Sequence, residues 1–219
     1  MSSSIKIPIA IIVAGIIIAL AIYAAMPKGP EGGDPSLVRP IGTTDHILGN
    51  PNAKVMIVEY ADFDCEYCVG LSDTLRHIIA NEGANGDVAW VFRQFPLTEL
   101  HPNAFKHAEA AECAAVAGGN DAFWEFADLL YARQPVDPSQ YGVLAQTVGI
   151  PGEAFASCFA NAPKVVDERI TADRENALLM QAPGTPFSLI LVAGKPPIVM
   201  SGAYPYEAVQ ALVEEALTD

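Results

Sequence analysis

The chain places two cysteines two residues apart, in the run Cys65-Glu66-Tyr67-Cys68. An ionised thiol attacks disulfides, and a second thiol within reach releases the mixed disulfide that forms. A Cys-x-x-Cys pair suits this chemistry at a helix start, because unpaired backbone N–H groups and the positive end of the helix dipole stabilise the first thiolate. The spacing therefore favours thiol–disulfide exchange.

Two other uses of the pair remain open from the residues alone. A zinc site usually needs four ligands, but the other cysteines, Cys113 and Cys158, stand singly in the sequence. A structural disulfide across one helical turn would close a short loop and contribute little stability. We predict redox chemistry and keep a metal site or a structural bond as alternatives.

The flanking sequence predicts the elements that position the cysteines. An apolar run at Val55–Ala61 predicts a buried strand, and apolar residues at helical spacing predict a helix from about Cys65 to Ala80. A helical block follows a second strand, and two further strands and a last helix close the chain. This order of elements predicts a small mixed sheet with a helical subdomain inserted into it. The remaining predicted elements are the strand Val88–Phe95, the helical block from Pro102 to about Met180, the strands Phe187–Val192 and Ile198–Ser201, and the helix Tyr206–Leu217.

The first residues indicate where the chemistry takes place. Ile7–Met26 is almost wholly apolar, and roughly 20 such residues are enough for a helix to cross a bilayer. A cleaved signal peptide is the alternative, because Ala19-Leu20-Ala21 offers a small-x-small cleavage site. The apolar run continues past that triplet, so we favour a retained transmembrane anchor. Either reading places the remaining chain in an extracytoplasmic, oxidising compartment, the periplasm or the cell surface.

Composition sets the domain organisation and excludes one class of partner. We predict an anchor or signal segment at residues 1–26, a Pro/Gly-rich tether at 27–44, and one domain at 45–219. The last range, about 175 residues, is long enough for one well-packed core. The formal net charge of −14 argues against nucleic acid as a partner.

Several segments together resemble a known family. The run from Val58 to Cys68 is similar to the active-site segment of the DsbA-like thioredoxin-fold oxidoreductases. The resemblance runs from about Asp45 to the chain end, and it implies an α/β thioredoxin-like fold with a helical insertion at about residues 101–181, preceded here by the predicted transmembrane helix. The other matching segments are Phe95-Pro96-Leu97 with His101-Pro102, Ala110–Ala114 leading to Phe123-Trp124, and Gly184-Thr185-Pro186.

The resemblance assigns roles to three residues on the predicted strand and helix. Cys65 matches the family's exposed nucleophile, and Cys68 matches its buried resolving thiol. Glu59 matches a buried acid that relays the proton of the resolving cysteine. A carboxylate that faces solvent at the edge of the strand is the alternative for Glu59.

The resemblance also implies a substrate-binding region. Pro186 matches a cis-proline packed against the active-site disulfide, and Thr185 would offer backbone groups to a bound chain. Glu66 and Tyr67 would face the same substrate, and here the sequence departs from the strongly oxidising members, which have Pro-His between the cysteines. Tyr67 can offer only a hydroxyl to the thiolate, so we expect a milder oxidant.

The charged residues near the nucleophile also favour a milder oxidant. Asp62 and Asp64 join Glu66 in placing negative charge around Cys65. These carboxylates should raise the pKa of the thiol and offset part of the helix dipole.

The remaining cysteines and two of the histidines lie outside the redox motif, and we expect no catalytic role for them. Cys113 and Cys158, as an exported pair outside the redox motif, are predicted to form a structural disulfide, a pairing seen in some DsbA-like proteins; two separate buried residues are the alternative. We expect His107 to be solvated or half-buried. His101 could cap the helix after it or lie near the active site, and we assign it no catalytic role.

These inferences predict an enzyme that needs no cofactor or metal, a protein-disulfide oxidase tethered to the membrane. Its partners would be exported proteins with free thiols and, by resemblance, a membrane quinone-linked reoxidase of the DsbB or vitamin-K-epoxide-reductase type. A disulfide isomerase or reductase of the same fold is one alternative. The other is a tethered metallochaperone that holds copper or zinc between Cys65, Cys68 and a histidine.

Overall fold

The computed structural model describes residues 33–161 and 164–218. Within these residues five strands form one sheet in the order β1-β3-β2-β4-β5. The central strands β2 and β3 are parallel, and the pairs β1–β3, β2–β4 and β4–β5 are antiparallel. The sheet is therefore mixed, as the order of elements predicts. The strands are β1 (His46–Gly49), β2 (Val55–Ala61), β3 (Val88–Gln94), β4 (Phe187–Val192) and β5 (Ile198–Ser201).

A block of helices is inserted between β3 and β4. It comprises α2 to α5, and α1 and α6 belong to the thioredoxin-like part that surrounds it. The fold is thus an α/β thioredoxin-like fold with a helical insertion, which confirms that part of the fold prediction. The helices are α1 (Glu66–Asn81), α2 (Ala104–Ala132), α3 (Tyr141–Thr147), α4 (Gly152–Asn161), α5 (Lys164–Leu179) and α6 (Tyr206–Thr218), with short 3-10 segments at Pro35–Leu37 and Pro138–Gln140.

The long helix α2 covers two runs, Ala104–Ala117 and Ala122–Ala132, which the sequence predicts as separate helices within the helical block. It bends at Gly119, whose φ of +81° and ψ of −170° lie outside the helical region. That conformation is accessible to glycine because it has no Cβ. The glycine therefore separates two helical segments at a kink, as the sequence predicts.

The two central strands are buried on both faces of the sheet. On β2, Ile57 and Ala61 pack with α1 and the insertion in one core, while Val58 and Tyr60 pack in a second core with Ala177 of α5. Alternation of side chains along the strand produces this division. Burial on both faces explains why β2 is an almost continuous apolar run.

Part of the segment that we predict to be a tether packs against the insertion. The Asn176 side chain on α5 accepts a hydrogen bond from the Arg39 N–H (2.8 Å) and donates one to the Leu37 carbonyl (2.8 Å). The Arg39 guanidinium also pairs with Asp173 at 2.6 Å. These contacts place residues 37–39 against α5.

The predicted anchor Ile7–Met26 lies outside the described residues. Within the part of the chain that the structure describes, no helix has both the length and the apolar composition needed to cross a bilayer.

Candidate active site

The two cysteines of the motif lie at the start of α1. Cys65 is the N-cap residue, with extended φ and ψ of −81° and 118°, and Cys68 lies one turn inside the helix. The Cys65 N–H donates to the Asp62 carbonyl at 3.2 Å, and the Cys68 N–H donates to the Cys65 carbonyl at 3.1 Å. The sulfurs of Cys65 and Cys68 are not bonded to each other. Cys65 is buried, with 6% of its surface exposed, and Cys68 retains none. Cys65 is thus the more accessible of the two thiols, but the exposed nucleophile that the resemblance implies is wrong in degree, because the Thr185–Pro186 loop lies over it.

The two thiols differ in acidity because their surroundings differ. A hydrogen bond with the Cys68 thiol is the largest influence that lowers the pKa of Cys65, which falls to about 6 although burial acts against it. The Thr185 side chain and the backbone N–H groups of Cys68 and Tyr67 lower the same pKa further. Burial raises the pKa of Cys68 well above its ordinary value. At neutral pH Cys65 is therefore the thiolate and Cys68 the donor that stabilises it.

The loop before β4 covers the nucleophile. The Thr185–Pro186 peptide bond is cis, and the Cys65 thiol donates to the Thr185 carbonyl at 3.3 Å. The Gly202 N–H donates to the Pro186 carbonyl at 2.9 Å and so ties the loop to the end of β5. The structure thus brings together Cys65 and the Thr185–Pro186 segment, which are about 120 residues apart in the sequence.

Glu59 lies inside the protein on β2. It is fully buried, on the face of β2 that also presents Ile57 and Ala61 to the cysteines, and neither carboxylate oxygen has a hydrogen-bond partner among the described residues. Burial raises the pKa of Glu59 to about 8, and the charge of Cys65 adds to the rise. The alternative of a solvent-facing carboxylate is therefore wrong.

The two acids that precede the motif are each paired with a histidine. Asp62 Oδ2 lies 2.9 Å from His101 Nδ1, and Asp64 Oδ1 lies 2.9 Å from His107 Nε2. His107 is buried, with 1% of its surface exposed, and contacts Tyr141 through its other ring nitrogen. Our expectation that His107 is solvated or half-buried is wrong, because Asp64 and Tyr141 satisfy its ring inside the protein. Both carboxylates thus have a partner, which weakens their expected effect on the Cys65 pKa.

Comparison with known proteins agrees with this architecture. The sequence profile of the thioredoxin family matches residues 42–214. The chain belongs to the thioredoxin family.

Within that family its fold is DsbA-like. The oxidised form of BdbD from Bacillus subtilis is similar, with a TM-score of 0.70 at 23% identity over 86% of this chain and 98% of that one. The thiol-disulfide exchange protein alpha-DsbA2 from Wolbachia pipientis has a TM-score of 0.69 at 18% identity over 79% of this chain and 87% of that one.

The curated relatives that match this chain are named as Na(+)/H(+) antiporters. Na(+)/H(+) antiporter NhaA 1 of Mycolicibacterium gilvum is 34% identical over 171 residues, which cover 76% of this chain and 26% of that protein. Antiporter NhaA 3 of Salinispora tropica is 36% identical over 176 residues, or 78% of this chain and 24% of that one. The chain spans about a quarter of the length of these relatives.

The remaining predicted site residues of this thioredoxin-family chain lie at the surface or in the insertion. Glu66 and Tyr67 are exposed, Tyr67 by 63%. Cys113 on α2 and Cys158 on α4 are joined by a disulfide with a Cα–Cα distance of 5.6 Å. This is the pairing we predict from the sequence, and it leaves Cys65 and Cys68 as the free thiols of the described chain.

We expect Glu59 to make the stability of this thioredoxin-family domain pH-dependent. The folded chain holds the Glu59 proton up to a pKa of about 8, whereas the ordinary value is 4.5. The unfolded state therefore binds fewer protons between these values, so the free energy of unfolding falls as pH rises through that window. In the wild type this effect should lower the free energy of unfolding by about 2 kcal/mol between pH 5 and 7, and Glu59→Gln should remove that decrease. Denaturant unfolding at several pH values measures it.

The control for this experiment is Glu175→Gln, which changes an exposed acid on α5. It should leave the pH dependence of unfolding as it is in the wild type. If the free energy of unfolding still decreases between pH 5 and 7 in Glu59→Gln, a group other than Glu59 causes the pH dependence.

Proposed function

We propose that this chain is an extracytoplasmic thiol–disulfide oxidoreductase that introduces disulfides into exported proteins. The observation that best supports the proposal is the division of acidity at the start of α1. Cys65, with a pKa of about 6, is poised to ionise, while buried Cys68 holds its proton. Exchange through a Cys-x-x-Cys pair needs one thiol of each kind.

The reaction follows from the positions of the two sulfurs. In the disulfide form, a substrate thiolate attacks Cys65, the S–S bond to Cys68 breaks, and Cys68 leaves with the electron pair and takes up a proton. The buried carboxyl of Glu59, which couples electrostatically to Cys68, is placed to supply that proton. A second substrate thiolate then attacks the substrate sulfur, and Cys65 leaves as a stabilised thiolate. The substrate gains a disulfide and the enzyme becomes a dithiol.

The cis-proline loop supports the binding of an extended substrate. The Thr185 carbonyl already accepts a hydrogen bond from the Cys65 thiol, so a substrate sulfur bonded to Cys65 would lie beside the Thr185 backbone. Backbone groups at such a point pair with an extended chain and leave its side chains free to vary. This arrangement suits an enzyme that acts on many unfolded proteins.

The acidity of Cys65 sets the expected direction of electron flow. A stabilised thiolate favours the dithiol form and makes the disulfide a stronger oxidant. The pKa of about 6 lies between thioredoxin, at about 7, and DsbA, at about 3.5. We therefore expect a potential between about −270 mV, the thioredoxin value, and about −120 mV, the DsbA value.

Equilibration of the Cys65–Cys68 couple with glutathione tests this proposal, and a dipeptide exchange tests its cause. Glu66→Pro with Tyr67→His should make the couple more oxidising by about 30 mV or more, a tenfold change in the equilibrium constant. The change removes an exposed negative charge and adds a histidine beside the thiolate. A native potential at or below the thioredoxin value would support the reductase alternative instead.

Single variants separate the two contributions. Glu66→Gln reports the loss of the charge, and Tyr67→His reports the gain of the imidazole. Glu175→Gln, which removes an exposed charge on α5, should leave the potential unchanged. A double variant with the native potential would contradict the electrostatic explanation.

The partners and the location complete the proposal. We propose that the substrates are exported proteins with free thiols and that a membrane quinone-linked enzyme of the DsbB or vitamin-K-epoxide-reductase type reoxidises the dithiol. An anchor at Ile7–Met26 would hold the domain at the membrane surface. The antiporter name describes whole proteins of which the matched part is only about a quarter, and ion transport is not part of this proposal.

The metallochaperone alternative receives no support from the donor groups. Within the described ranges, no three side chains from His, Cys, Asp and Glu come together in a way that could hold a metal ion. His101 and His107 instead pair with Asp62 and Asp64, the two acids that precede the motif.

A further inference from the structure

The motif lacks a histidine, yet a histidine from another element lies at the start of α1. His101 lies in the turn before α2, where its N–H donates to the Leu97 carbonyl at 2.8 Å and its own carbonyl accepts from the Ala104 N–H at 3.0 Å. These two hydrogen bonds fix the backbone of His101. The backbone of His101 is therefore held in place by the turn between Leu97 and the start of α2.

The carboxylate of Asp62 holds the ring of His101. Oδ2 accepts from His101 Nδ1 at 2.9 Å and from the Leu97 N–H at 2.8 Å, and Oδ1 accepts from the Asp64 N–H at 2.8 Å. The carboxylate is fully buried, while 26% of the His101 side chain is exposed. Asp62 thus joins the turn that leads into α1 to the turn that leads into α2.

Asp62 also contacts the backbone of the nucleophile, in the turn that leads into α1. The Asp62 carbonyl accepts the N–H of Cys65 at 3.2 Å, so the residue that anchors the imidazole also anchors the cysteine backbone. Because Nδ1 donates to Asp62, the orientation of the ring is fixed and the other ring nitrogen is directed away from the carboxylate. A protonated ring held by Asp62 would place a positive charge close enough to Cys65 for the two charges to interact.

We propose that His101, oriented by Asp62, is a positioning residue that stabilises the Cys65 thiolate and takes the place of the histidine absent from the dipeptide. The inference rests on the proposed function, since it concerns the leaving group of that exchange. When a substrate thiolate breaks the mixed disulfide, the electron pair of the S–S bond stays on Cys65, and the imidazolium lowers the energy of that charge.

The charges around the ring agree with a cationic His101. Contact with Asp62 raises its pKa, and the charges of Asp64 and Cys65 raise it further, although burial acts in the opposite direction. Asp64 is itself paired with His107. The pKa of His101 is therefore raised on balance, which favours the cationic form of the ring.

Thiolate absorbance at 240 nm tests the proposal, followed against pH in the full chain with Cys65 and Cys68 selectively reduced and the Cys113–Cys158 disulfide intact. The other two cysteines are bonded to each other, so the signal comes from Cys65 and Cys68. His101→Asn retains a donor near the position of Nδ1 but removes the charge, and it should lower the thiolate fraction at pH 5 about threefold. His101→Lys restores a positive charge and should recover most of that loss.

The control is His77→Asn. His77 is an exposed residue of α1 that lies twelve positions after Cys65, roughly 18 Å along the helix axis. It should leave the titration unchanged. High salt should reduce the difference between His101→Asn and the wild type, because a partly exposed charge is screened.

Two results would overturn the proposal. The first is an unchanged titration in His101→Asn, and the second is an equal loss in the Asn and Lys variants, which would indicate a structural role. The titration needs no substrate and no reoxidising partner. A shifted titration in a protein that fails to oxidise substrates would therefore reject the proposed function and leave the role of His101 intact.

Discussion

Replacement of Cys65 by serine is expected to reduce thiol–disulfide exchange on the order of a thousandfold or more, as loss of a nucleophile does elsewhere. The serine hydroxyl does not ionise near neutral pH and cannot form a disulfide. The variant should retain the fold, because Cys65 is an N-cap residue without a capping hydrogen bond from its side chain. Oxidation of a reduced model protein, with a redox buffer as the source of oxidant, measures the loss.

The matched control is Cys68→Ser, which keeps the nucleophile and removes the resolving thiol. This variant should accumulate a mixed disulfide through Cys65, visible as a mass increase that a reductant reverses. Mixed disulfides that form through Cys68 in Cys65→Ser would contradict the assigned roles. The full burial of Cys68 is the reason that we expect none.

The thioredoxin-like part of the fold could be predicted closely from the sequence. The predicted strand Val55–Ala61 matches β2 residue for residue, and the predicted helix from Cys65 to Ala80 differs from α1 by one residue at each end. Both elements are buried against neighbours along their length, so their apolar pattern follows their environment directly. In the insertion, the non-helical conformation of Gly119 divides α2 at the point where the sequence suggests a break between two helices, which confirms that prediction.

Some residues of the candidate site could be predicted from the sequence, and others were found only in the structure. The Cys-x-x-Cys pair is predicted from its spacing, because the exchange chemistry requires two thiols within reach, whereas the Thr185–Pro186 segment is predicted only from the family resemblance. The pairing of Asp62 with His101 joins residues 39 positions apart, and no local pattern predicts it. The His101-Pro102 dipeptide after the second strand was the available signal. The burial of His107 depends on Tyr141, a residue of the insertion, and was likewise inaccessible to local reasoning.

The disulfide in the insertion gives the second large expected effect. Cys113 and Cys158 are 45 residues apart, and cross-linking a loop of that length removes about 4 kcal/mol of conformational entropy from the unfolded chain in the loop-closure model. Cys113→Ala with Cys158→Ala should lower the free energy of unfolding by up to about that amount. Denaturant unfolding in a Cys65→Ser, Cys68→Ser background measures it without interference from the redox pair.

The single variants identify the cause of that loss. If the covalent link between α2 and α4 supplies the stability, either Cys113→Ala or Cys158→Ala alone should cost nearly as much as both together, because each breaks the same bond. Small losses that add in the double variant would show instead that packing of two buried side chains matters. Reduction of the parent protein should reproduce the double variant, since it opens the loop and leaves both sulfurs in place. With the link opened, α2 and α4 still pack through Phe126 and Phe155, whose rings lie 5.6 Å apart, so the insertion should become less stable without losing its helices.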